Sequence, residues 1–178
     1  MTTKVIMAGF GGQGVVLIGT LLAHAGMKQG KHTTFFPSYG AEMRGGTANC
    51  SVIVSDGEIA SPVVGRPDCV IAMSVASLDK FEPVVRPGGT VFVNSSLIEK
   101  RVKRQDISEI RIPANEIAEQ AGSSRAANMV MLGGLIKNTR AITLDSALES
   151  LGNVLSERAM ALLDVNRKAL AKGFEQVA

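Results

Sequence analysis

The sequence predicts an α/β domain: a doubly wound, mostly parallel sheet flanked by helices, with a C-terminal helical segment. Three observations carry this expectation. Apolar runs of strand length alternate with runs of helical period along the first two thirds of the chain. The first apolar run ends in a glycine loop that opens directly into an apolar helix, Met7-Ala8-Gly9-Phe10-Gly11-Gly12-Gln13-Gly14-Val15-Val16. From Asn115 onward the pattern is mostly helical. A chain of 178 residues, 46% of them hydrophobic, is enough for one domain with a full core, expected to run over residues 1–178.

Each element follows from its own pattern. Residues 4–8 read as a first strand, and residues 12–30 as a helix turning Val15, Val16, Leu17, Leu21, Leu22 and Ala25 toward a core. Residues 33–36 form a second strand, expected to stop at Pro37. Residues 49–54 are β-branched and end in Ser55-Asp56-Gly57-Glu58, a turn that predicts a hairpin with Ile59 and Ala60. Residues 68–73 read as a buried strand, 75–81 as a short helix, and Pro87-Gly88-Gly89 as a turn into a strand over 90–94. A short strand follows at 110–113, then helices at 116–121, 125–138, 144–151 and 156–176. Met129, Met131, Leu132, Leu135 and Ile136 recur at helical spacing, as a core stripe or a subunit contact, and Gly133-Gly134 marks close packing or a break.

The glycine loop is built to receive an anion, because its backbone N–H groups approach a ligand without Cβ interference and the helix start adds partial positive charge. Gly9-x-Gly11-x-x-Gly14 matches the dinucleotide fingerprint in spacing. The acid that would hold a ribose roughly 20 residues later is missing, since the first Asp or Glu is Glu42. A tight packing turn and a phosphate or extended ligand over the loop remain the competing readings. Beyond the second strand comes Pro37-Ser38-Tyr39-Gly40-Ala41-Glu42-Met43-Arg44-Gly45-Gly46-Thr47-Ala48-Asn49, expected to emerge at the same sheet edge. This long polar connection either faces water or carries function, with Arg44 able to clamp a phosphate or carboxylate. Asn128, polar among apolar neighbours, is either buried against backbone or presented to a ligand.

Composition excludes several classes. A net charge of +3, 4% aromatic content and no Trp give no basis for nucleic-acid binding. No apolar run reaches the roughly 20 residues needed to span a bilayer, and the start of the chain has no signal-peptide pattern, so a cytoplasmic protein without membrane insertion is expected. Cys50 and Cys69 stand alone, so neither a disulfide nor a metal pair is expected, and any iron–sulfur cluster belongs to another chain. His24 and His32 have no nucleophile context, and no catalytic residue or metal ligand is assigned.

The glycine loop, the stretch from Pro37 to Gly46, Ser61-Pro62, Pro67-Asp68 and Asn128-Met129-x-x-Leu132-Gly133 together resemble the gamma subunit of 2-oxoacid:ferredoxin oxidoreductases of the pyruvate, 2-oxoglutarate and 2-oxoisovalerate type. The same module occurs inside single-chain pyruvate:ferredoxin oxidoreductase and as the small subunit of indolepyruvate oxidoreductase. The resemblance implies a doubly wound domain in an enzyme that oxidatively decarboxylates a 2-oxoacid, makes an acyl-CoA and reduces ferredoxin. It implies partners: alpha and beta chains holding thiamine diphosphate and Mg, and an iron–sulfur (delta-type) chain; whether the isolated chain pairs with a second copy of itself is left open by the sequence. This module would lie over the active-site entrance and help bind coenzyme A. By the resemblance, Gly11, Gly12, Gln13 and Gly14 approach the CoA phosphates or pantetheine, and Ser38, Tyr39, Glu42 and Arg44 line the mouth facing the thiamine-bearing subunits. Three alternatives stand beside it: an NAD(P)-dependent reductase, a free-standing nucleotide- or CoA-binding module, and the small subunit of an indolepyruvate oxidoreductase.

Overall fold

The computed structural model of the chain describes residues 1–39 and 47–177. Six strands form one sheet: β1 (Thr2–Phe10), β2 (His32–Tyr39), β3 (Thr47–Ser55), β4 (Cys69–Ala72), β5 (Thr90–Asn94) and β6 (Ser108–Ile112), in the order β2-β3-β1-β4-β5-β6. β1, β4, β5 and β6 pair in parallel, and β3 runs antiparallel to both β1 and β2. β2 therefore runs with β1, and β3 is the single reversed strand. The middle strands are apolar on both faces: Val5 and Met7 join one core, Ile6 and Ala8 the other. All four β4 residues are buried, as a parallel strand covered on both sides requires.

The helices divide unequally. α1 (Val15–Lys28), α3 (Ala114–Ala121), α4 (Ala127–Thr139), α5 (Leu144–Val154) and α6 (Leu163–Gln176) build the larger core. α2 (Val75–Phe81) covers the other face with its 3-10 continuation Glu82–Val84, and Val64, Val102 and Ile107 from the connections complete that smaller core. α4 is buried on all sides from Ala127 to Ile136, so the expected stripe is a whole buried helix. Its glycines serve close packing: a Cβ at Gly133 would fall on the backbone of α6, 2.7 Å from the Phe174 nitrogen, and one at Gly173 would fall on Val130.

Three expectations are corrected. Strand β2 continues through Pro37 to Tyr39, because β2 is an edge strand and its outer side has no ladder for the missing N–H to break. Residues 59–60 form no strand, and β3 instead fills the gap between β1 and β2, with Val52 paired to both Val5 and Phe35. The last helix is split, with a 3-10 segment Glu157–Leu162 leading into α6.

Candidate functional site

In an open α/β sheet a ligand crevice lies beyond the strand carboxyl ends. Here β1 delivers Phe10 and the glycine loop to that edge, and Gly14 is the N-cap of α1 in a left-handed conformation, φ 72°. No side chain caps the helix and its first turn holds no acidic residue, so the partial positive charge of that end is not offset locally. Gly12 holds φ 95°, and an added Cβ there would meet nothing within 4 Å. The loop thus shows an open backbone face at Gly12.

Two carboxamides fix this loop. Gln13 Oε1 accepts from the Phe10 N–H at 2.6 Å, and Gln13 Nε2 donates to the Met73 carbonyl at 3.0 Å, joining the ends of β1 and β4. Asn128, buried at the start of α4, donates from Nδ2 to the Gly14 carbonyl at 3.1 Å and accepts from the Met129 N–H at 2.9 Å. Asn128 also lies against the position a Gly14 Cβ would take, its Cγ 3.1 Å away. Of the two readings of Asn128, backbone partners account for both ends of its side chain, and it lines the crevice as well.

Two adjoining hollows open here. A cleft of about 630 Å³ is lined by Phe10, Gln13, Met73, Val75, Asp79 and Leu97. Phe10, Val75 and Leu97 are 41%, 42% and 48% exposed, a cluster of large apolar groups in water at one edge. A smaller hollow of about 230 Å³ lies between Gly12, Gln13, Asn115, Ser124, Arg125 and Asn128. Arg125 is exposed and makes no ion pair among the described residues. The wall under Asn115 is a polar network. Fully buried Asn94 donates to Asn115 Oδ1 at 2.9 Å, and the Ser96 hydroxyl accepts from the Asn115 N–H at 2.9 Å. Ser96 in turn donates to Glu116, which holds that carboxyl below the usual carboxylate range.

Gly11, Gly12, Gln13, Gly14 and Asn128 are thus brought to one place. Ser38 and Tyr39 end β2, with Ser38 level with Asn49 and Ala8, and Tyr39 level with Ala48 and Gly9. They share the loop's edge but stand two strand spacings, about 10 Å, from β1. Glu42 and Arg44 lie outside the described residues. Asn115, Ser124 and Arg125 escaped the sequence reading, because only the tertiary fold carries the start of α3 and the turn before α4 to the glycine loop. Burial pushes the Cys50 and Cys69 thiols up to about 12, and Cys50 donates to the Val15 carbonyl at 3.3 Å. No described helix is long and apolar enough to cross a membrane.

Comparison with known proteins adds the following. The sequence profile of the family described as pyruvate ferredoxin/flavodoxin oxidoreductase matches residues 4–176. The ketoisovalerate oxidoreductase subunit VorA of Methanothermobacter marburgensis is 37% identical over 171 residues, 96% of this chain and 35% of the relative. The 2-oxoglutarate synthase subunit KorC of the same organism is 37% identical over 160 residues, 86% of each chain. The chain therefore spans about a third of VorA and most of KorC. Among solved structures, the gamma subunit of a keto/oxoacid ferredoxin oxidoreductase from Geobacter sulfurreducens has a TM-score of 0.83 at 29% identity, covering 98% of this chain and 97% of that one. The 2-oxoglutarate:ferredoxin oxidoreductase of Magnetococcus marinus, solved with 2-oxoglutarate, coenzyme A and succinyl-CoA bound, has a TM-score of 0.86 at 22% identity over 98% of this chain and 31% of that one, a likeness of fold.

Proposed function

This chain belongs to the pyruvate ferredoxin/flavodoxin oxidoreductase family, and from that premise we propose that it is the gamma subunit of a thiamine-diphosphate-dependent 2-oxoacid:ferredoxin oxidoreductase of the cytoplasm. The assembled enzyme decarboxylates a 2-oxoacid oxidatively, forms the acyl-CoA and reduces ferredoxin. Within it this chain covers the active site and helps bind coenzyme A. The observation that carries the reading is the crevice at the strand ends, on a chain matched to the family over residues 4–176.

The chemistry of coenzyme A fits the two hollows. Its diphosphate suits the open face of Gly12 and the uncapped start of α1, where backbone N–H groups and the helix dipole favour negative charge. Arg125 stands ready for a second phosphate, as a guanidinium binds phosphate oxygens in pairs. The thin pantetheine arm suits the cleft between Phe10, Met73, Val75 and Leu97. Ser38, Tyr39, Glu42 and Arg44 are proposed to line the mouth toward the partner subunits. The exposed apolar rim supports an edge covered in the assembly.

Thiamine diphosphate with its magnesium is assigned to the alpha and beta chains, and the iron–sulfur clusters to a cysteine-rich delta-type chain. The two thiols here are buried and neutral, on β3 and β4 to either side of β1, and do not supply the four thiolates of a cluster. The proposal is tested by anaerobic affinity purification of the chain from its native cells. Larger subunits in the eluate, with viologen reduction that requires both a 2-oxoacid and CoA, are expected. A lone chain that binds CoA but reduces nothing would make it a free-standing binding module instead.

A further inference from the structure

The ladder between β1 and β4 ends in an unusual way. It is regular up to the Met73 N–H, which donates to the Ala8 carbonyl at 2.8 Å. In a parallel pair the next rung is the N–H two residues on, here Phe10, donating to the Met73 carbonyl. Both groups are present and neither is bonded to the other. The Gln13 carboxamide stands between them, its oxygen accepting from Phe10 and its nitrogen donating to Met73. One acceptor, one donor and a planar amide between them make it a peptide group in all but connectivity.

We propose that Gln13 is a positioning residue whose carboxamide is spliced into the sheet as a substitute peptide unit, holding the ends of β1 and β4 apart and so keeping the ligand cleft open. Gln13 is placed for this role. It lines both hollows, with Phe10 from β1 and Met73–Ala76 from the β4–α2 junction lining the cleft beside it. Its two polar ends are engaged by backbone, so it shapes the site through the strands rather than by reacting. Asn is one methylene short of both partners, and Glu keeps the acceptor while setting a carboxylate oxygen against the Met73 carbonyl. The inference rests on the proposed CoA site for its functional readout, while the wedge itself stands on the hydrogen bonds.

The test uses the assembled enzyme with Gln13→Ala or Gln13→Glu, measuring CoA KM, 2-oxoacid KM and kcat between about pH 6 and about pH 8.5, together with amide exchange at Phe10 in the full chain. Gln13→Ala raises the CoA KM about tenfold, the size of one lost hydrogen-bond pair, while kcat and the 2-oxoacid KM stay within about twofold. Gln13→Glu raises the CoA KM at least as far as Gln13→Ala across this pH range, because a half-exposed carboxyl that accepts from Phe10 at the positive end of α1 stays ionised and sets a second oxygen against the Met73 carbonyl. Phe10 exchange, compared with the native chain at one pH, is faster in Gln13→Ala. A merely stabilising Gln13 would lower the melting temperature and leave the CoA KM unmoved, which overturns the proposal. Gly12→Val separates the two claims: if it raises the CoA KM and Gln13→Ala does not, the wedge is wrong and the CoA site stands. If neither variant moves the CoA KM, the CoA reading of this edge fails and the inference falls with it.

Discussion

At Gly12 a single backbone angle and an empty space divide stability from function. An added Cβ there meets nothing within 4 Å, so the folding cost of a Val is chiefly the left-handed conformation, about 1–2 kcal/mol. For a chain of this length that lowers the melting temperature by roughly 2–8 °C. The same side chain projects over the face where a phosphate would rest, so the CoA KM of Gly12→Val is expected to rise more than about tenfold, well beyond the loss of stability. Equal activity at saturating and limiting CoA would assign the loop to packing. The cysteines give a second residue-scale prediction. With both thiols held near 12 in the fold, the unfolded chain loses protons first as pH rises above about 8.5. Their contribution is complete below that pH and declines toward 12, by roughly 1.4 kcal/mol per thiol per pH unit. A thiol reagent at about pH 8 should therefore find no reactive cysteine until denaturant is added, and rapid labelling of the native chain would contradict the burial.

At the level of elements, two glycines in neighbouring helices should respond with opposite sign. Gly173 of α6 faces the Val130 backbone so closely that a methyl group forces the helices apart. Gly173→Ala is expected to cost about 3 kcal/mol or more, lowering the melting temperature by roughly 6–12 °C. Gly152 of α5 has nothing within 4 Å of an added Cβ, and Gly152→Ala gains about 0.5–1 kcal/mol of helix propensity. Thermal melts of the two variants, one falling and one rising, check the α4–α6 contact directly. The same level shows what a sequence can tell. Apolar runs marked the strands, most plainly the middle ones, because burial of both faces leaves its pattern in residues such as Val70, Ile71, Val91 and Phe92. Strand neighbours leave no such mark. Alternation across β3 says which side chains are buried, and nothing in it distinguishes a hairpin with Ile59 from a place between β1 and β2. Pro37 read as a stop because its effect depends on whether the strand is an edge, which is a property of the assembled sheet.

Across the whole molecule, the site combines a part written in local sequence with a part that only the fold assembles. Gly11 to Gly14 were legible because a strand, a glycine turn and a helix follow within a few residues. Arg125 arrived from more than a hundred positions away, beside Asn115 and Asn128. Their convergence brings positive charge to the glycine-loop side of the crevice, while the Asp79 carboxylate that lines the cleft is paired with Lys100. No Asp or Glu occurs before Glu42, α1 presents its positive end, and Arg125 has no counter-charge among the described residues. A field of this kind attracts a polyanion and is weakened by salt, since the screening length falls from about 30 Å at 0.01 M to about 10 Å at 0.1 M. The CoA KM of the assembled enzyme should therefore climb with ionic strength. In the Arg125→Ala enzyme it should start higher and climb less steeply, because one of the screened charges is gone. Plotting log KM against log salt for both enzymes separates a charge that meets the ligand from one that merely faces water. Parallel lines with equal intercepts would remove Arg125 from the site, whereas a shallower slope would place its guanidinium on a CoA phosphate.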